Sequence, residues 1–585
     1  MSPTRSAPFD RATALERLAS EEFDVLVVGG GITGAGIALD AAHRGLRTAI
    51  VDKGDFASGT SSKSSKLVHG GLRYLQQREV GLVYESLAER QLLLRNASHL
   101  VSPLPFLVPL FGRNGVVSRT VSRSLATALW LYDLTGGWRI GARHRRVGRS
   151  DALTHLPSLR AEDLVCGFLY FDAHADDARL TLAVVRTAVM DHGAVAANYA
   201  CVTDFLTDPD GKVRGARVSP ARMPGSAGEF GEATEGPDFD CRAKVVVNAT
   251  GVWADEVRAL ADARHTHTLR PAKGVHVSVP SSRLPCDIAA VLPVRGDRRS
   301  VFVVPWDDCD MTYIGTTDTD YDGPLDAPGC TPEDVDYLLD AVNASTTASL
   351  RREDVTGVWA GLRPLLASRQ GRKLSTRTAD LSRRHSVRTS IDGLVTVTGG
   401  KLTTYRRMAA DTMRQVEEVL EATDRPALAP ASTRRRARST ANVRLRGAPA
   451  GRGALRTPHV GMLGDADHLE RRYGTETAAV RALAEGRPTL LAPVVEGLPY
   501  LGVEVVYAVR EEMALTLDDV LGRRTRAVLQ DARATAAAAS TVAQLMADEL
   551  GWSPDQAQRQ AERFAERVRA ELSGAGVPAG EEVHG

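Results

Sequence analysis

The stretch FDVLVVGGGITGAGIALDAAHRGLRTAIVDKGD, residues 23–55, has the order strand, glycine-rich turn, helix, strand. Residues 25–28 form a short apolar run, typical of a strand buried in a parallel sheet. A helical pattern of small and apolar residues then continues to Gly45, and a second apolar run, residues 48–51, ends in Asp52. The spacing predicts one βαβ unit of a doubly wound α/β fold.

Three glycines between the first strand and the helix predict a dinucleotide site. Gly29 allows the tight turn, Gly31 lets a pyrophosphate approach the backbone, and Gly34 lets the helix pack closely on the strand. The first N–H groups of the helix and its positive dipole end then face the phosphates. Asp52, about twenty residues further on, is placed to bind the hydroxyl pair of a ribose.

Two later segments favour FAD over NAD. AKVVVNATGVWADEV, residues 243–257, and DGLVTVTGGKLTTYRRMAADTM, residues 392–413, each read as a buried strand, a glycine turn and a helix start. A chain that returns twice to its first βαβ unit builds one long groove. A helix N-terminus at residues 399–402 would also suit the flavin edge that carries negative charge after reduction. The alternative is ordinary strand–glycine–helix architecture.

Residues 60–75, TSSKSSKLVHGGLRYL, form a second unusual stretch soon after the glycine turn. Its hydroxyl side chains, lysines, histidine and paired glycines are poor material for a core strand and suit a loop that holds a ligand. The rival interpretation is a polar loop that leads into a helix.

Composition limits the classes of function. The 585 residues include 73 Lys+Arg and 72 Asp+Glu. The nearly zero net charge does not support binding to nucleic acid by overall electrostatic attraction, so any anion site must be a local cluster of cations. The 6 cysteines are scattered without a metal-binding spacing, which predicts free thiols in a reducing compartment and no metal site. No run of about 18 apolar residues occurs, and we expect a cytoplasmic protein.

The pattern predicts an α/β protein with a Rossmann-like FAD-binding domain, an antiparallel-sheet substrate domain and a C-terminal helical cap domain. The predicted bounds are 1–20 for an N-terminal lead-in, 21–100 with 165–260 and 375–425 for the discontinuous FAD-binding domain, 101–164 with 261–374 for the substrate domain, 426–455 for a basic linker and 456–585 for the helical domain.

From about residue 24 to 411 the chain resembles the FAD-dependent glycerol-3-phosphate dehydrogenases. The resemblance is carried by the motifs VVGGGITGAGIALDAAHRGL, TSSKSSKLVHGGLRYL, DARLTLAVV, VNATGVWADEV, VFVVPWDDCDMTYIGTTDTDY, GLRPLL and TGGKLTTYRRMA. It implies oxidation of sn-glycerol 3-phosphate to dihydroxyacetone phosphate by hydride transfer to FAD, with electrons passed to a membrane quinone. Peripheral association with the inner face of the cell membrane follows as an expectation, and a homodimer is one assembly left open.

The matching motifs give three groups of expected FAD contacts. They are the glycine turn and its acid, Gly29, Gly31, Gly34 and Asp52; the hydroxyl-rich stretch, Thr60, Ser61, Ser62, Ser65, Lys66, Leu67, Gly70 and Gly71; and the later strand ends, Ala249, Thr250, Gly251, Gly399, Gly400, Lys401, Leu402 and Thr403.

Glycerol 3-phosphate needs cations for its phosphate and a base for its C2 hydroxyl. The residues that match family positions for substrate binding are Arg73, Tyr74, Arg363, Arg383 and Lys401. His69 and Arg363 are the predicted catalytic residues, with His69 as general base because a histidine titrates near neutral pH. An arginine or a water acting as base is the alternative.

Other functions of the same fold stay open. A glycerol-3-phosphate oxidase would use oxygen and release peroxide, and an amine or amino-acid oxidase would recognise a carboxylate without several cations. A non-enzymatic flavin-binding role would not need the full set of site residues. The basic run at residues 434–438 is a solvated linker or a contact with anionic lipid.

Overall fold

A computed structural model describes residues 9–71, 79–112, 119–220, 236–262, 264–265, 267–296, 299–366, 384–423, 439–450 and 468–579, without the side chains of residues 119–122, 138, 139 and 423.

The described strands belong to two sheets. They are β1 Glu22–Val28, β2 Thr48–Val51, β3 Leu67–Val68, β4 Val101–Phe111, β5 Arg145–Val147, β6 Leu164–Ala175, β7 Val195–Ala197, β8 Ala200–Thr207, β9 Val213–Pro220, β10 Phe239–Asn248, β11 Leu269–Pro280, β12 Ala289–Pro293, β13 Ser300–Pro305, β14 Met311–Gly315, β15 Thr319–Asp320, β16 Gly357–Leu366, β17 Ser386–Thr389 and β18 Val395–Thr398.

The first sheet has the order β17-β18-β10-β1-β2-β7, with β9 beside β10 and β8 beside β9. Strands β1, β2, β10 and β18 run parallel, as predicted, β7 joins them as a further parallel strand, and β17 runs antiparallel to β18. Val28 stands level with both Asn248 and Val51, so three strands end at one edge. This edge carries the glycine turn, Asp52 and the segment after β10.

The second sheet has the order β15-β11-β14-β13-β12-β4-β6-β3, with β16 also on β11 and β5 on β6. Its pairs are antiparallel, except that β12 runs parallel to β4. The sheet that was predicted to be antiparallel therefore contains one parallel pair of strands, β4 with β12. The reason is that β4 and β12 lie far apart in sequence, so no hairpin sets their relative direction.

The predicted domain bounds stay a prediction. Strand β6 pairs with β3, β4 and β5 in the second sheet, so the division between sheets does not fall at residue 165.

The described α-helices cover the sheets and fill the C-terminal region. They are α1 Arg11–Ser20, α2 Ile32–His43, α3 Val80–Asn96, α4 Arg119–Leu134, α5 Arg149–His155, α6 Asp177–Met190, α7 Ala254–Ala261, α8 Pro332–Ser345, α9 Tyr405–Thr423, α10 His468–Tyr473, α11 Thr477–Ala482, α12 Gly502–Glu512, α13 Ala527–Gln530, α14 Ala532–Ala537, α15 Ala539–Leu550 and α16 Pro554–Gly574.

The helical C-terminal region shares its apolar core with the second sheet. Val303 of β13, Val542 of α15 and Phe564 of α16 are buried in one continuous cluster. A second cluster joins the first sheet to α2, α6 and α9 through residues such as Ile37 and Met413. Within the described ranges, none of the helices has both the length and the apolar character needed to cross a membrane.

Candidate active site

The glycine turn after β1 has the geometry that the sequence predicts. Gly29 adopts φ +107°, and a Cβ on it would lie 2.7 Å from the carbonyl oxygen of Ala249. A Cβ on Gly34 would lie 1.9 Å from the carbonyl oxygen of Gly29. Helix α2 begins with Gly31, which has no side chain, at its N-cap, and the hydroxyl of Ser61 accepts the N–H of Ile32 in the first turn. The N-terminus of α2 is therefore a backbone cradle that fits the pyrophosphate of a dinucleotide.

Asp52 forms hydrogen bonds with the backbone of the turn itself. Its carboxylate accepts the N–H groups of Gly30 at 2.6 Å and Gly54 at 2.8 Å. Burial raises the pKa of Asp52 to about 6, against the opposing effect of these two hydrogen bonds. Its contact with a ribose stays a prediction.

The ends of β10 and β18 lie beside this turn. Ala249 donates its N–H to the carbonyl of Val28 at 2.9 Å, while the hydroxyl of Thr250 donates to Asn248 at 2.7 Å. Gly251, Gly399 and Gly400 adopt φ +63°, +74° and +87°.

A short helical turn, Leu402–Thr404, follows the glycines and leads into α9. Lys401 stands at its N-cap and donates from Nζ to the hydroxyl of Ser86 at 3.3 Å. The Thr403 hydroxyl donates to the carbonyl of His69 at 3.3 Å, which joins this turn to the hydroxyl-rich loop. The structure therefore brings the three predicted cofactor groups together.

Several hydroxyls of the loop bind the protein. Thr60 donates to the carbonyl of Leu362 at 2.6 Å, and the Ser61 hydroxyl accepts the N–H of Ile32 at 2.9 Å. Ser62 donates weakly to Gly59 at 3.4 Å, and the Ser65 hydroxyl shares a 2.8 Å hydrogen bond with Nε2 of His276. The loop thus fastens to α2 and to the second sheet.

Lys66 is buried, and its Nζ lies 3.5 Å from Asp177 and over the rings of Trp306 and Trp359. Burial lowers the pKa of Lys66 to about 8. Leu67 is part of β3, paired with His174.

The glycine pair at 70–71 differs in its two members. Gly70 donates its N–H to Asp172 at 3.0 Å, and a Cβ on it would lie 2.3 Å from Leu87 of α3. Packing therefore requires glycine at position 70, whereas Gly71 has φ +79°.

The predicted substrate residues are partly described. Arg363 donates to Asp318 at 3.1 Å and to the hydroxyl of Thr316 at 3.2 Å, and its side chain is 20% exposed. Its guanidinium lies over Gly274, where a Cβ would approach it to 2.5 Å. Arg73, Tyr74 and Arg383 lie outside the described residues.

His276 lies next to the predicted site residues, although the sequence reasoning did not single it out. It lies on β11 beside Trp359 of β16, on the face that also carries Gly274, while the alternating Val275 and Val277 are core residues. A Cβ on Gly315 would lie 1.9 Å from the imidazole, so the ring rests on the backbone of β14. A lone histidine within the alternating run VHVSV was the available signal.

The surroundings of His276 keep its imidazole neutral. The ring stacks on Trp359 with centroids 4.9 Å apart and is 2% exposed. Burial, followed by the positive charges of Lys66 and Arg363, holds the pKa of His276 well below its ordinary value. A neutral imidazole beside a guanidinium can accept a proton next to a bound anion.

The predicted base, His69, is half-buried at the end of the loop. Its backbone carbonyl is held by Thr403, as described above, which places the residue beside the turn at Lys401.

Comparisons with known proteins show the family to which the chain is similar. Residues 24–406 match the family model described as FAD dependent oxidoreductase, and residues 438–557 match one described as C-terminal domain of alpha-glycerophosphate oxidase. Glycerol-3-phosphate dehydrogenase 2 of Mycobacterium tuberculosis is 42% identical over 574 residues, which cover 97% of this chain and 91% of that protein. The mitochondrial glycerol-3-phosphate dehydrogenase of Bos taurus is 35% identical over 95% of this chain and 75% of its own length.

A solved structure is similar over nearly the whole chain. The glycerol-3-phosphate dehydrogenase from Bacillus halodurans, complexed with FAD, superposes with a TM-score of 0.72 and 31% identity, covering 98% of this chain and 99% of that one. The predicted cofactor is thus confirmed, and the chain belongs to the family of FAD-dependent glycerol-3-phosphate dehydrogenases.

Proposed function

We propose that this enzyme oxidises sn-glycerol 3-phosphate to dihydroxyacetone phosphate and passes the electrons to a membrane quinone. The observation that carries the proposal is that Arg363 and His276 lie on one face of the second sheet, where the hydroxyl-rich loop contacts His276 through Ser65. The substrate itself is taken from the names of the relatives described above.

Arg363 supplies charge for the phosphate. Its planar guanidinium suits bidentate hydrogen bonds to phosphate oxygens, and Asp318 and Thr316 hold it in one orientation. Lys401 adds a second cation from the turn before α9. Arg73, Tyr74 and Arg383 remain predicted partners.

The C2 hydroxyl must lose its proton as hydride leaves C2. We assign this proton to Nε2 of His276, the ring nitrogen that meets the loop at Ser65, because the tautomer protonated on Nδ1 carries its lone pair on Nε2. Nδ1 is buried, and among the described residues none forms a hydrogen bond with it. His69 remains the base predicted from sequence.

Bound FAD supplies the hydride acceptor. Gly31 with the N-terminus of α2 would hold its pyrophosphate, and the turn of Gly399–Gly400 and residues 402–404 would hold the flavin end.

Anaerobic mixing of the purified protein with glycerol 3-phosphate, followed by flavin absorbance, tests the reaction. We expect bleaching, and fast recovery on addition of a quinone analogue with slow recovery in air. Fast recovery in air with peroxide would make the enzyme an oxidase. Bleaching by an amine or amino acid instead would contradict the proposed substrate.

Association with a membrane surface is the second part of the proposal. Trp130, Leu131 and Leu134 lie on one side of α4 and are 54%, 47% and 70% exposed. Arg123 of α4 and three later arginines, Arg143, Arg145 and Arg146, are exposed near this apolar face. An apolar helix face beside arginines is complementary to an anionic lipid bilayer.

A further inference from the structure

The segment Gly522 to Arg526, sequence GRRTR, belongs to the C-terminal region and contains three arginines. Arg523, Arg524 and Arg526, here named the arginine clamp, are all placed where their guanidinium groups bind residues distant in sequence. Arg524 and Arg526 are 2% and 1% exposed. Buried guanidinium groups require partners, and those partners show what the segment does.

The first anchor of the clamp is Asp55, three residues after Asp52. Arg524 donates to both carboxylate oxygens of Asp55, at 2.5 and 2.9 Å, and Arg523 adds a bond of 2.6 Å. Burial opposes ionisation of Asp55, but the two guanidinium groups outweigh it and lower its pKa. The clamp thus holds the start of the loop that follows β2.

The second anchor is the hydroxyl-rich loop itself. Arg526 donates from Nη2 to the backbone carbonyl of Ser62 and, at 2.9 Å, to the carboxylate of Asp177. Asp177 is fully buried at the start of α6 and accepts both the N–H and the hydroxyl of Ser64, at 3.0 and 2.7 Å. Arg526 therefore reaches the loop directly at Ser62 and through Asp177 at Ser64.

The next residue connects this anchor to the chemistry. Ser65 hydrogen-bonds His276 through its hydroxyl, and its carbonyl accepts the hydroxyl of Tyr313 at 3.2 Å. The residues on either side of Ser65 in the loop are Ser64 and Lys66, both of which face Asp177. Displacing the Asp177–Arg526 pair would move Ser65 and, with it, the partner of the imidazole.

We propose that Arg526 is a positioning residue for the active site: from the C-terminal domain it fixes the hydroxyl-rich loop, through Ser62 and Asp177, in the conformation that binds FAD and orients His276. The inference rests on the proposed function for the role of His276 and on the predicted contacts of the loop for FAD. It gives the C-terminal helical domain a part in cofactor binding, although that domain carries none of the predicted site residues.

A matched variant distinguishes positioning of the loop from the general contribution of a buried arginine to stability. Arg186 of α6 is equally buried and also ties the first sheet's helices to the C-terminal domain, through Glu476 at 2.6 Å and Tyr507 at 2.9 Å. Both Arg186→Met and Arg526→Met remove a buried arginine between the same two regions. Only the second removes a contact with the loop.

The test is FAD affinity of the full-length protein, measured by flavin fluorescence during titration of the apoprotein, with the thermal midpoint as stability control. We expect Arg526→Met to raise the FAD dissociation constant about tenfold and Arg526→Lys to restore part of it, because the ammonium keeps the charge but not the two-partner geometry. Arg186→Met should stay within about twofold of the wild type at temperatures well below its midpoint.

Equal weakening by Arg526→Met and Arg186→Met, or an unchanged dissociation constant for Arg526→Met, would overturn the proposal. Should Arg526→Met not fold, Ser64→Ala decides, since it removes the hydroxyl that binds Asp177 and accepts the N–H of Lys66 within the loop: we expect about threefold weaker FAD binding, and no change contradicts the proposal. This readout needs no substrate. Loss of the proposed function would appear as failed bleaching by glycerol 3-phosphate with FAD affinity intact.

Discussion

The imidazole of His276 contacts the hydroxyl of Ser65 and the ring of Trp359, so its protonation state depends on these neighbours. His276→Asn keeps a polar side chain of similar size and removes the base. We expect flavin reduction by saturating glycerol 3-phosphate to slow about 100-fold or more, because a general base contributes at least that factor. Rapid anaerobic mixing gives the rate.

His69→Asn is the matched comparison for that experiment. If His276 is the base, His69→Asn should keep a reduction rate within about tenfold of the wild type. The opposite order of the two rates would return the role to His69, as the sequence predicted.

The pH dependence of flavin reduction gives a second check on His276. Its pKa lies below the ordinary histidine value, so the unprotonated, basic form persists as the pH falls through about 6.5. The reduction rate at saturating substrate should therefore stay level through this range and decline only at lower pH. A decline centred at or above pH ~6.5 would contradict a role for a buried, neutral His276.

Arg363 is the side chain on which phosphate recognition depends. Arg363→Met should raise the KM for glycerol 3-phosphate about 30-fold or more, since a charge-assisted bidentate contact is lost, and leave the flavin spectrum unchanged. Arg283→Met is the control: Arg283 also belongs to the second sheet's surroundings but pairs with Asp354 at an exposed position. A KM that rises equally in both variants would contradict the assignment.

The glycine turn and α2 are both sensitive to substitution at Gly34, because the helix packs directly on the backbone after β1 without a side chain between them. Gly34→Ala places a Cβ 1.9 Å from the carbonyl oxygen of Gly29, so α2 must shift. We expect loss of bound FAD or a stability loss of about 2 kcal/mol or more, measured by the visible spectrum and by urea unfolding.

Gly81→Ala in α3 is the matched control, since a Cβ there meets nothing within 4 Å. It should be neutral or stabilise the protein by about 0.5–1 kcal/mol through helix propensity. Equal destabilisation by both substitutions would mean that the close approach at Gly34 does not matter.

Several elements follow from local pattern alone. Strands β1, β2 and β18 were predicted to within three residues, because short apolar runs before a glycine turn are typical of buried strands. Strand β10 was predicted at residues 245–247 but begins six residues earlier, at Phe239. The parallel pairing of β4 with β12 was missed, since it depends on chain segments almost 180 residues apart and leaves no local signal.

At the scale of the whole molecule, the apolar face of α4 is exposed to solvent, and a vesicle experiment tests its role. The double change Trp130→Ala with Leu134→Ala should lower binding to vesicles rich in anionic phospholipid about tenfold, because two large side chains no longer enter the interface. Binding of the wild type should also weaken as salt rises.

Ile391→Ala is the control for that experiment, because Ile391 is 94% exposed and lies on the turn between β17 and β18 of the first sheet, whereas α4 packs against the second sheet. It should bind vesicles as the wild type does. Equal loss in both variants, or binding that ignores the lipid charge, would contradict a docking role for the α4 face.

The sequence by itself determined the fold and the class of cofactor, because backbone turns and strand periodicity are local properties. This information lies in residues 23–55, in the two later strand–glycine–helix segments and in the overall order of motifs. The active site is different. His276 meets Ser65, Arg363 meets Asp318, and Arg526 meets Ser62 only after two sheets and the helical domain pack together. A buried histidine's protonation depends on charges that come from distant segments, so only the tertiary structure decides which imidazole is neutral and which arginine holds the loop.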